Sequence, residues 1–161
     1  MRLKNQVATW LTDCRRLAVL GIGNPFRGDD AVGIEVLKRL KGKVPENARL
    51  FECETVPENR LDEIESFQPS HVLMIDAAQL NVDPGGARLV LPEEFARTVL
   101  STHAMPLFIL AEVLRKSLNA KVMLLGVQPE RVEFGENLSP KLRKASREIA
   151  QILMEAIRAV L

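Results

Sequence analysis

The fold is decided by residues 17–30, which read LAVLGIGNPFRGDD. The first part of this stretch is continuously apolar and ends in glycines, a pattern typical of a buried strand. Residues 30–41 follow with leucine and isoleucine at helical spacing, which predicts a helix. We expect Asp29 or Asp30 to cap that helix, because aspartate is favoured at helix N-termini.

The alternation of strands and helices continues along the chain. Further strands are predicted at 48–53, 71–77, 87–91 and 121–127, and further helices at 5–14, 58–67, 106–118 and 140–160. This order predicts an α/β fold with a mostly parallel five-stranded sheet, in one domain spanning residues 1–161. The fourth strand follows the third through a Pro-Gly-Gly turn without a helix, which allows it to be antiparallel.

Composition excludes several classes of function. The 22 Lys and Arg against 21 Asp and Glu leave a net charge of +1, which argues against a nucleic-acid binder. With two His, two Cys and no CxxC pair, the chain lacks the ligands of a zinc finger, so any metal site must consist mostly of carboxylates. The absence of tyrosine excludes tyrosine chemistry.

Targeting signals are not recognisable in the sequence. The longest apolar runs, around VLMID and KVMLLGV, fall far short of the ~20 residues that span a bilayer. The N-terminal segment is interrupted by Asp13 and does not match a signal peptide. We therefore expect a cytoplasmic protein, with no membrane insertion and no nucleic-acid partner, acting as a monomer.

The glycine loop resembles a nucleotide-binding loop only superficially. Its spacing is G-x-G-x-x-x-x-G, not G-x-G-x-x-G, and no Walker lysine follows. Two aspartates at the start of the helix would repel phosphate. A small nucleotide-binding domain remains a third hypothesis, tested by thermal stabilisation with NAD or ATP.

Three side chains stand where an open α/β sheet places its ligands, at the carboxyl ends of strands. Asp30 follows the first strand, Asp76 ends the third, and His103 precedes a helix. Each also has a structural interpretation: Asp30 as a cap, Asp76 as an acceptor of loop N–H groups, His103 as an ordinary polar residue. Asp29 is expected to be a cap or loop brace, and His71, at the start of a strand, to be exposed.

Together these three residues form a ligand set of two carboxylates and one imidazole. Such a set suits Ni²⁺, Zn²⁺, Mn²⁺ or Fe²⁺ and leaves coordination positions open. Nucleophilic catalysis has weaker candidates: Cys14 lies in a predicted helix, and Cys53 lies between two glutamates that raise a thiol pKa. No G-x-S-x-G occurs, and Ser101 and His103 are too close in sequence for triad geometry.

Four strings, in order and in register, resemble the hydrogenase maturation endopeptidases, which remove the C-terminal extension of [NiFe] hydrogenase large subunits. They are GIGNPFRGDDAVGIEV, the strand ending in IDAA, STHAMPL and GVQPERVEF, within residues 17–155. TVPEN at 55–59, HAMPL at 103–107 and GVQP at 126–129 are similar to the subgroup that matures the hydrogenase-3, formate-hydrogenlyase type of enzyme.

The resemblance implies a twisted five-stranded sheet with helices on both faces, and assigns roles to residues. Asp30, Asp76 and His103 correspond to the nickel-recognising residues, with Asp30 and Asp76 also the candidate catalytic acids. Asn24, Thr102 and Gln128 lie in the matching motifs and are expected to bind substrate. The nickel is carried by the large-subunit precursor, so no permanently bound metal is expected. A non-catalytic, nickel-dependent chaperone for the precursor is the alternative.

One segment departs from the family pattern. Many members carry Asp-Gly-Gly-Thr after the second strand, whereas this chain has Glu52-Cys53-Glu54-Thr55. Side chains therefore stand where glycines would let a substrate approach the backbone closely. This raises the question whether Glu54 or Cys53 contributes to specificity.

Overall fold

The computed structural model describes residues 2–100 and 104–161. Its centre is a five-stranded sheet with the strand order β2-β1-β3-β5-β4. Three pairings are parallel, and β4 runs antiparallel to β5. The strands are Leu17–Ile22 (β1), Ala48–Glu54 (β2), His71–Ala77 (β3), Ala87–Val90 (β4) and Lys121–Val127 (β5). The prediction of a mostly parallel sheet is confirmed, and of the two orientations that the sequence left open for the fourth strand, the structure has the antiparallel one.

Helices cover both faces of the sheet. They are Leu3–Trp10 (α1), Val32–Leu40 (α2), Leu61–Phe67 (α3), Phe95–Thr98 (α4), Ala104–Leu118 (α5) and Pro140–Val160 (α6). Short 3₁₀ turns at Gly28–Ala31, Pro57–Arg60 and Pro92–Glu94 precede α2, α3 and α4. Within the described part of the chain, no helix combines the length and apolar character needed to cross a bilayer.

The core lies in two layers because successive strand side chains alternate between the sheet's faces. Leu17 and Val19 of β1 join the layer under α1, α2 and α6, whereas Ala18 and Leu20 join the layer under α3, α4 and α5. All six residues of β1 are buried, as expected for a strand covered on both faces. The predicted α/β fold, with helices on both faces of a five-stranded sheet, is confirmed.

The start of α2 differs from the prediction. The α-helix begins at Val32, and Ala31 before it provides no side-chain cap. The expectation that Asp29 or Asp30 caps this helix is therefore wrong. Both aspartates lie in the preceding 3₁₀ turn, where their carboxylates accept hydrogen bonds from other segments.

Two other helix starts bear on the site. Ser139 caps α6 as its sequence predicts, since its Oγ accepts the N–H of Leu142 at 3.4 Å and Pro140 follows it. The helix α5 begins at Ala104, directly after residues 101–103, so Pro106 lies in its first turn.

The helix α4 was not predicted from the sequence, because a helix of four residues is too short to show a periodic pattern of apolar residues.

Candidate active site

The candidate site lies at the point in the sheet where two consecutive crossover helices pack on opposite faces. From β1 the chain passes through α2 to β2, and from β2 it returns through α3, on the other face, to β3. The adjacent strands β1 and β3 therefore flank the topological switch point. In open α/β sheets the crevice outside the carboxyl ends of the strands at that point binds ligands.

Asp30 is held at this crevice by the loop that follows β1. Its side chain is fully buried, and its Oδ2 accepts the N–H of Asn24 at 2.9 Å. Asn24 in turn accepts the N–H of Phe26 on its own Oδ1 at 2.8 Å, forming an Asx turn. The side chain of Asn24, predicted to bind substrate, thus also shapes the loop whose backbone positions Asp30.

Asp76 reaches the same place from β3. It is fully buried, and its Oδ1 accepts the N–H of Ala77 at 2.8 Å. A Cβ added to Gly23 would lie 1.8 Å from the carbonyl oxygen of Asp30 and 3.4 Å from Oδ1 of Asp76. Both aspartates therefore border Gly23, which has a φ of +132°. Only glycine permits this approach.

A second glycine seats α2 on the strands. A Cβ on Gly33 would lie 2.1 Å from the carbonyl oxygen of Ile75 and 2.7 Å from that of Ile22. The first turn of α2 therefore rests directly on the ends of β3 and β1. This contact places the 3₁₀ turn that contains Asp30 next to β3, the strand that contains Asp76. Sequence analysis missed the role of both glycines; their positions next to predicted strand ends were the available signal.

Asp29 has a different environment from its neighbour. It is fully buried, and its Oδ1 accepts the N–H of Ser139 at 2.7 Å. Its Oδ2 accepts the N–H groups of Glu130 and Arg131 at 2.8 and 3.0 Å and the hydroxyl of Ser139 at 2.8 Å. The side chain therefore fastens the 3₁₀ turn to the loop between β5 and α6. This agrees with the expectation of a loop brace.

Gln128 follows β5 and is 7% exposed. Its Oε1 accepts the N–H of Leu80 at 2.7 Å, and its Nε2 donates to Oε1 of Gln79 at 2.7 Å. These contacts fix the chain beyond Asp76. Thr102 and His103, the other predicted substrate and nickel residues, lie outside the described residues.

The loop after β1 is unsuited to phosphate. In a nucleotide-binding loop the backbone N–H groups face the ligand, whereas here the carboxylate of Asp30 accepts the N–H of Asn24.

Among residues 2–100 and 104–161, no group of three or more His, Cys, Asp or Glu is placed to hold a metal ion.

Comparison with known proteins identifies the family. The family model described as HycI, hydrogenase maturation protease, matches residues 34–156. This chain belongs to the hydrogenase maturation protease family. A protein of Methanocaldococcus jannaschii, provisionally named as such a protease, is 33% identical over 163 residues, 96% of each chain. The hydrogenase 3 maturation protease of Escherichia coli K12 is 28% identical over 136 residues, 84% of this chain and 86% of the relative.

A solved structure of a member of this family has the same fold as this chain. The crystal structure of the [NiFe] hydrogenase maturation protease HycI from Thermococcus kodakarensis superposes with a TM-score of 0.87, at 27% identity, over 94% of this chain and 98% of the other. As a member of this protease family the protein is an endopeptidase, which favours the enzyme over the chaperone alternative.

The segment Glu52-Cys53-Glu54-Thr55 at the end of β2 has a defined geometry. Cys53 is 3% exposed and packs in the core, where burial raises the pKa of its thiol to about 12. Glu54 is exposed and has a φ of +51°, in the left-handed region that favours glycine. Its carbonyl oxygen accepts the N–H of Gly23 at 2.8 Å. Of the two side chains, only that of Glu54 is accessible to a substrate.

A Ser-His-Asp chain elsewhere in the protease invites comparison with a catalytic triad. Nδ1 of His71 lies 3.0 Å from Oγ of Ser70, and its Nε2 lies 3.2 Å from Oδ1 of Asp13. However, Oγ of Ser70 also accepts the N–H groups of Arg15 and Arg16 at 3.0 and 3.2 Å. These bonds occupy the lone pairs that a nucleophile needs. These three side chains also lie at the amino end of β3, opposite the crevice, and they hold the segment after α1 against the sheet.

His71 contradicts the expectation of an exposed residue, since it is 1% exposed and its ring meets Trp10 edge-on with centroids 5.0 Å apart. Burial lowers the pKa of its imidazole from the ordinary value of 6.5. Asp13 opposes this shift and Lys121, which donates to Asp13 at 2.6 Å, adds to it. No signal in the sequence indicated this burial because Asp13 and Trp10, which enclose the ring, lie more than 50 residues away in the chain.

The buried imidazole makes stability depend on pH. The unfolded chain binds a proton on His71 at higher pH than the folded protein does, so this contribution is complete above pH 6.5 and is lost as the pH falls towards the lowered pKa of the folded state. We expect the urea midpoint to fall between pH 7.5 and 5.5, and to fall less in His71→Gln. If the urea midpoints of wild type and His71→Gln fell by the same amount over this pH range, His71 would not be the source of the pH dependence.

Proposed function

We propose that this protein removes the C-terminal extension of a [NiFe] hydrogenase large-subunit precursor after nickel insertion. The observation that carries the proposal is the pair of fully buried aspartates, Asp30 and Asp76, which border Gly23 at the switch point of the sheet. A buried carboxylate is stable only when it is hydrogen-bonded or meets a cation. Membership of the protease family supplies the reaction class.

Nickel recognition is assigned to Asp30, Asp76 and His103. Two carboxylates and an imidazole suit a divalent ion of borderline hardness and leave coordination positions for the precursor's own thiolates. The nickel is part of the substrate and arrives with it. Only a loaded precursor brings the positive charge that offsets the two carboxylates, so cleavage follows a check of the metal.

The two aspartates are also the candidate catalytic groups, in an aspartic-type hydrolysis. One carboxylate takes a proton from water as the water oxygen attacks the scissile carbonyl carbon. The same proton passes to the amide nitrogen as the C–N bond breaks. A pair of carboxylates that shares one proton needs the two acids within hydrogen-bond reach of each other. We therefore assign nickel ligation as the first role of both residues. The metal or a carboxylate then polarises the attacking water or the scissile carbonyl.

The substrate is assigned to the hydrogenase-3 type. The HycI family model and the relative named hydrogenase 3 maturation protease support this assignment. Two exposed aromatic rings support docking of a folded precursor: Phe26 is 66% exposed and Phe134 is 75% exposed. Their loops are joined by a hydrogen bond from the N–H of Gly135 to the carbonyl of Phe26 at 2.8 Å. Exposed apolar side chains grouped on one edge are typical of interaction surfaces.

A processing assay tests the proposal. Nickel-loaded and nickel-free large-subunit precursor are incubated with the protein, and the mass of the large subunit is followed. We expect loss of the C-terminal extension from the loaded precursor alone. Equal cleavage of both forms would refute nickel recognition, and cleavage of neither would refute the assignment of this substrate.

A further inference from the structure

A polar pocket opens at the amino ends of β1, β3 and β5, on the edge of the sheet opposite the crevice. Its volume is about 330 Å³, at the lower end of the size range of small-molecule sites. The turns that precede these three strands line it, with Arg15, Arg16, Gln68, Pro69, Ser70, Ser117, Leu118 and Asn119. We call it the arginine pocket.

The arginine pocket is distant from the candidate active site. The strand β1 has six residues and joins the two ends of the sheet. At about 3.3 Å per residue, the pocket therefore lies roughly 20 Å from the crevice. A ligand in the pocket leaves the crevice free.

Backbone hydrogen bonds fix the turns around the pocket. The carbonyl of Arg16 accepts the N–H of Ser70 at 2.9 Å, and the carbonyl of Ser70 accepts the N–H of Lys121 at 3.0 Å. The hydroxyl oxygen of Ser70 accepts the N–H groups of Arg15 and Arg16 at 3.0 and 3.2 Å. The pocket is thus built before any ligand arrives, which lowers the entropic cost of binding.

Two guanidinium groups are held at one aromatic ring beside the pocket. The guanidinium carbon of Arg16 lies 4.1 Å from the ring centroid of Phe67, and its Nε donates to the carbonyl of Phe67 at 2.8 Å. The guanidinium carbon of Arg49 lies 4.7 Å from the same centroid. Stacking on the ring orients both cations. The side chain of Arg15, which is exposed, adds a third positive charge at the pocket itself.

These positive charges have no acidic partner in the described part of the chain. None of the ion pairs found there includes Arg15, Arg16 or Arg49. Asp13, the acid nearest to Arg15 in sequence, is bonded to Lys121 at 2.6 Å. Grouped like charges repel each other, and a bound anion replaces this repulsion by attraction.

The side chains of the pocket favour a phosphate ester among anions. The guanidinium fork matches the oxygens of a phosphate group and binds them in pairs. A phosphate ester carries about −1.5 to −2 charges at neutral pH, which suits more than one arginine better than the single charge of a carboxylate does. The remaining wall includes Gln68, Ser117 and Asn119, whose exposed polar side chains can bond to hydroxyl groups.

We propose that the arginine pocket binds a phosphorylated small molecule with a hydroxylated body, of the chemical class of the sugar phosphates. Arg15 and Arg16 hold the phosphate, and Gln68, Ser117 and Asn119 contact the hydroxyl groups. This second site is separate from the crevice, so it does not depend on the proposed function.

Calorimetric titrations at constant ionic strength test the class of ligand. Ribose 5-phosphate is expected to bind with a Kd below about 1 mM, and ribose is expected to bind at least about tenfold more weakly. Equal affinity for the two would overturn the assignment of a phosphate site. If inorganic phosphate bound as tightly as ribose 5-phosphate, recognition of the hydroxylated body would be wrong. If a hexaglutamate peptide bound more tightly, the ligand would be an acidic protein segment, which also overturns the proposal.

Matched variants test the location of the site. Arg15→Glu is expected to weaken binding of ribose 5-phosphate at least about tenfold, since it replaces an attraction by a repulsion. Arg147→Glu makes the same change on the exposed face of α6 and is expected to leave the affinity unchanged. Ser117→Asp, which adds a carboxylate to the pocket, is a second test variant. Circular dichroism and urea midpoints check that each variant is folded.

The outcomes of the variants are distinct. Equal losses in Arg15→Glu and Arg147→Glu would show that the ligand responds only to the net charge of the protein. Unchanged affinity in both Arg15→Glu and Ser117→Asp would place the ligand elsewhere. Amide chemical shifts give an independent location: the largest changes are expected at residues 15–16, 68–70 and 117–119. Largest changes at residues 21–31 would assign the ligand to the glycine loop and overturn the proposal.

Discussion

Asp29→Asn is expected to lower the free energy of unfolding by about 3–5 kcal/mol. The wild-type carboxylate accepts three backbone N–H groups and one hydroxyl, all within 3.0 Å. Asparagine keeps the shape but presents one amide NH₂, which cannot accept any of these bonds. At least one buried N–H then loses its partner, and hydrogen bonds to a charged group contribute about 1.5–3 kcal/mol each. Urea unfolding at neutral pH measures the loss.

The loss extends beyond Asp29 itself. Ser139, which donates to this carboxylate twice, is also the N-cap of α6. Releasing Ser139 therefore loosens the start of the longest helix as well as the loop after β5. Asp83→Asn in the exposed turn before β4 is the control, expected to change stability by less than about 0.5 kcal/mol. A change below about 1 kcal/mol in Asp29→Asn would show that this loop is held by other contacts.

The sheet was predictable from sequence because its signals are local. Strands buried on both faces appear as continuous apolar runs, as in LAVLGI and HVLMIDA. The Pro-Gly-Gly turn without a helix allowed the antiparallel β4, and Ser139-Pro140 marked the start of α6. Asp30 and Asp76 could be selected because the ends of parallel strands share one edge of the sheet.

Contacts between distant segments were not predictable in the same way. Asp29 bonds to residues more than 100 positions away, so the sequence could not decide whether its carboxylate caps a helix or braces a loop. His71 was expected to be exposed because nothing nearby in sequence shows that Asp13 and Trp10 enclose it. Gly23 and Gly33 serve close backbone contacts that exist only once β1, β3 and α2 are assembled.

Asp30→Asn and Asp76→Asn are expected to reduce cleavage of nickel-loaded precursor by at least about a thousandfold. Asparagine has nearly the same volume but carries no charge to ligate nickel and no basic oxygen to take a proton. The asparagine carbonyl oxygen at position 30 can still accept the N–H of Asn24, so Asp30→Asn is expected to lose less than about 1.5 kcal/mol of stability. Single-turnover mass spectrometry follows the cleavage.

The contrast between positions 29 and 30 makes the experiment decisive, because one chemical change is made at adjacent residues that are both fully buried. Asp29→Asn should lose mainly stability, and its residual folded fraction should still cleave at temperatures well below its midpoint. Asp30→Asn should remain folded and inactive. If Asp30→Asn instead unfolds as readily as Asp29→Asn and loses activity only in proportion to its unfolded fraction, both aspartates are structural. Nickel recognition would then have to reside outside the 3₁₀ turn Gly28–Ala31.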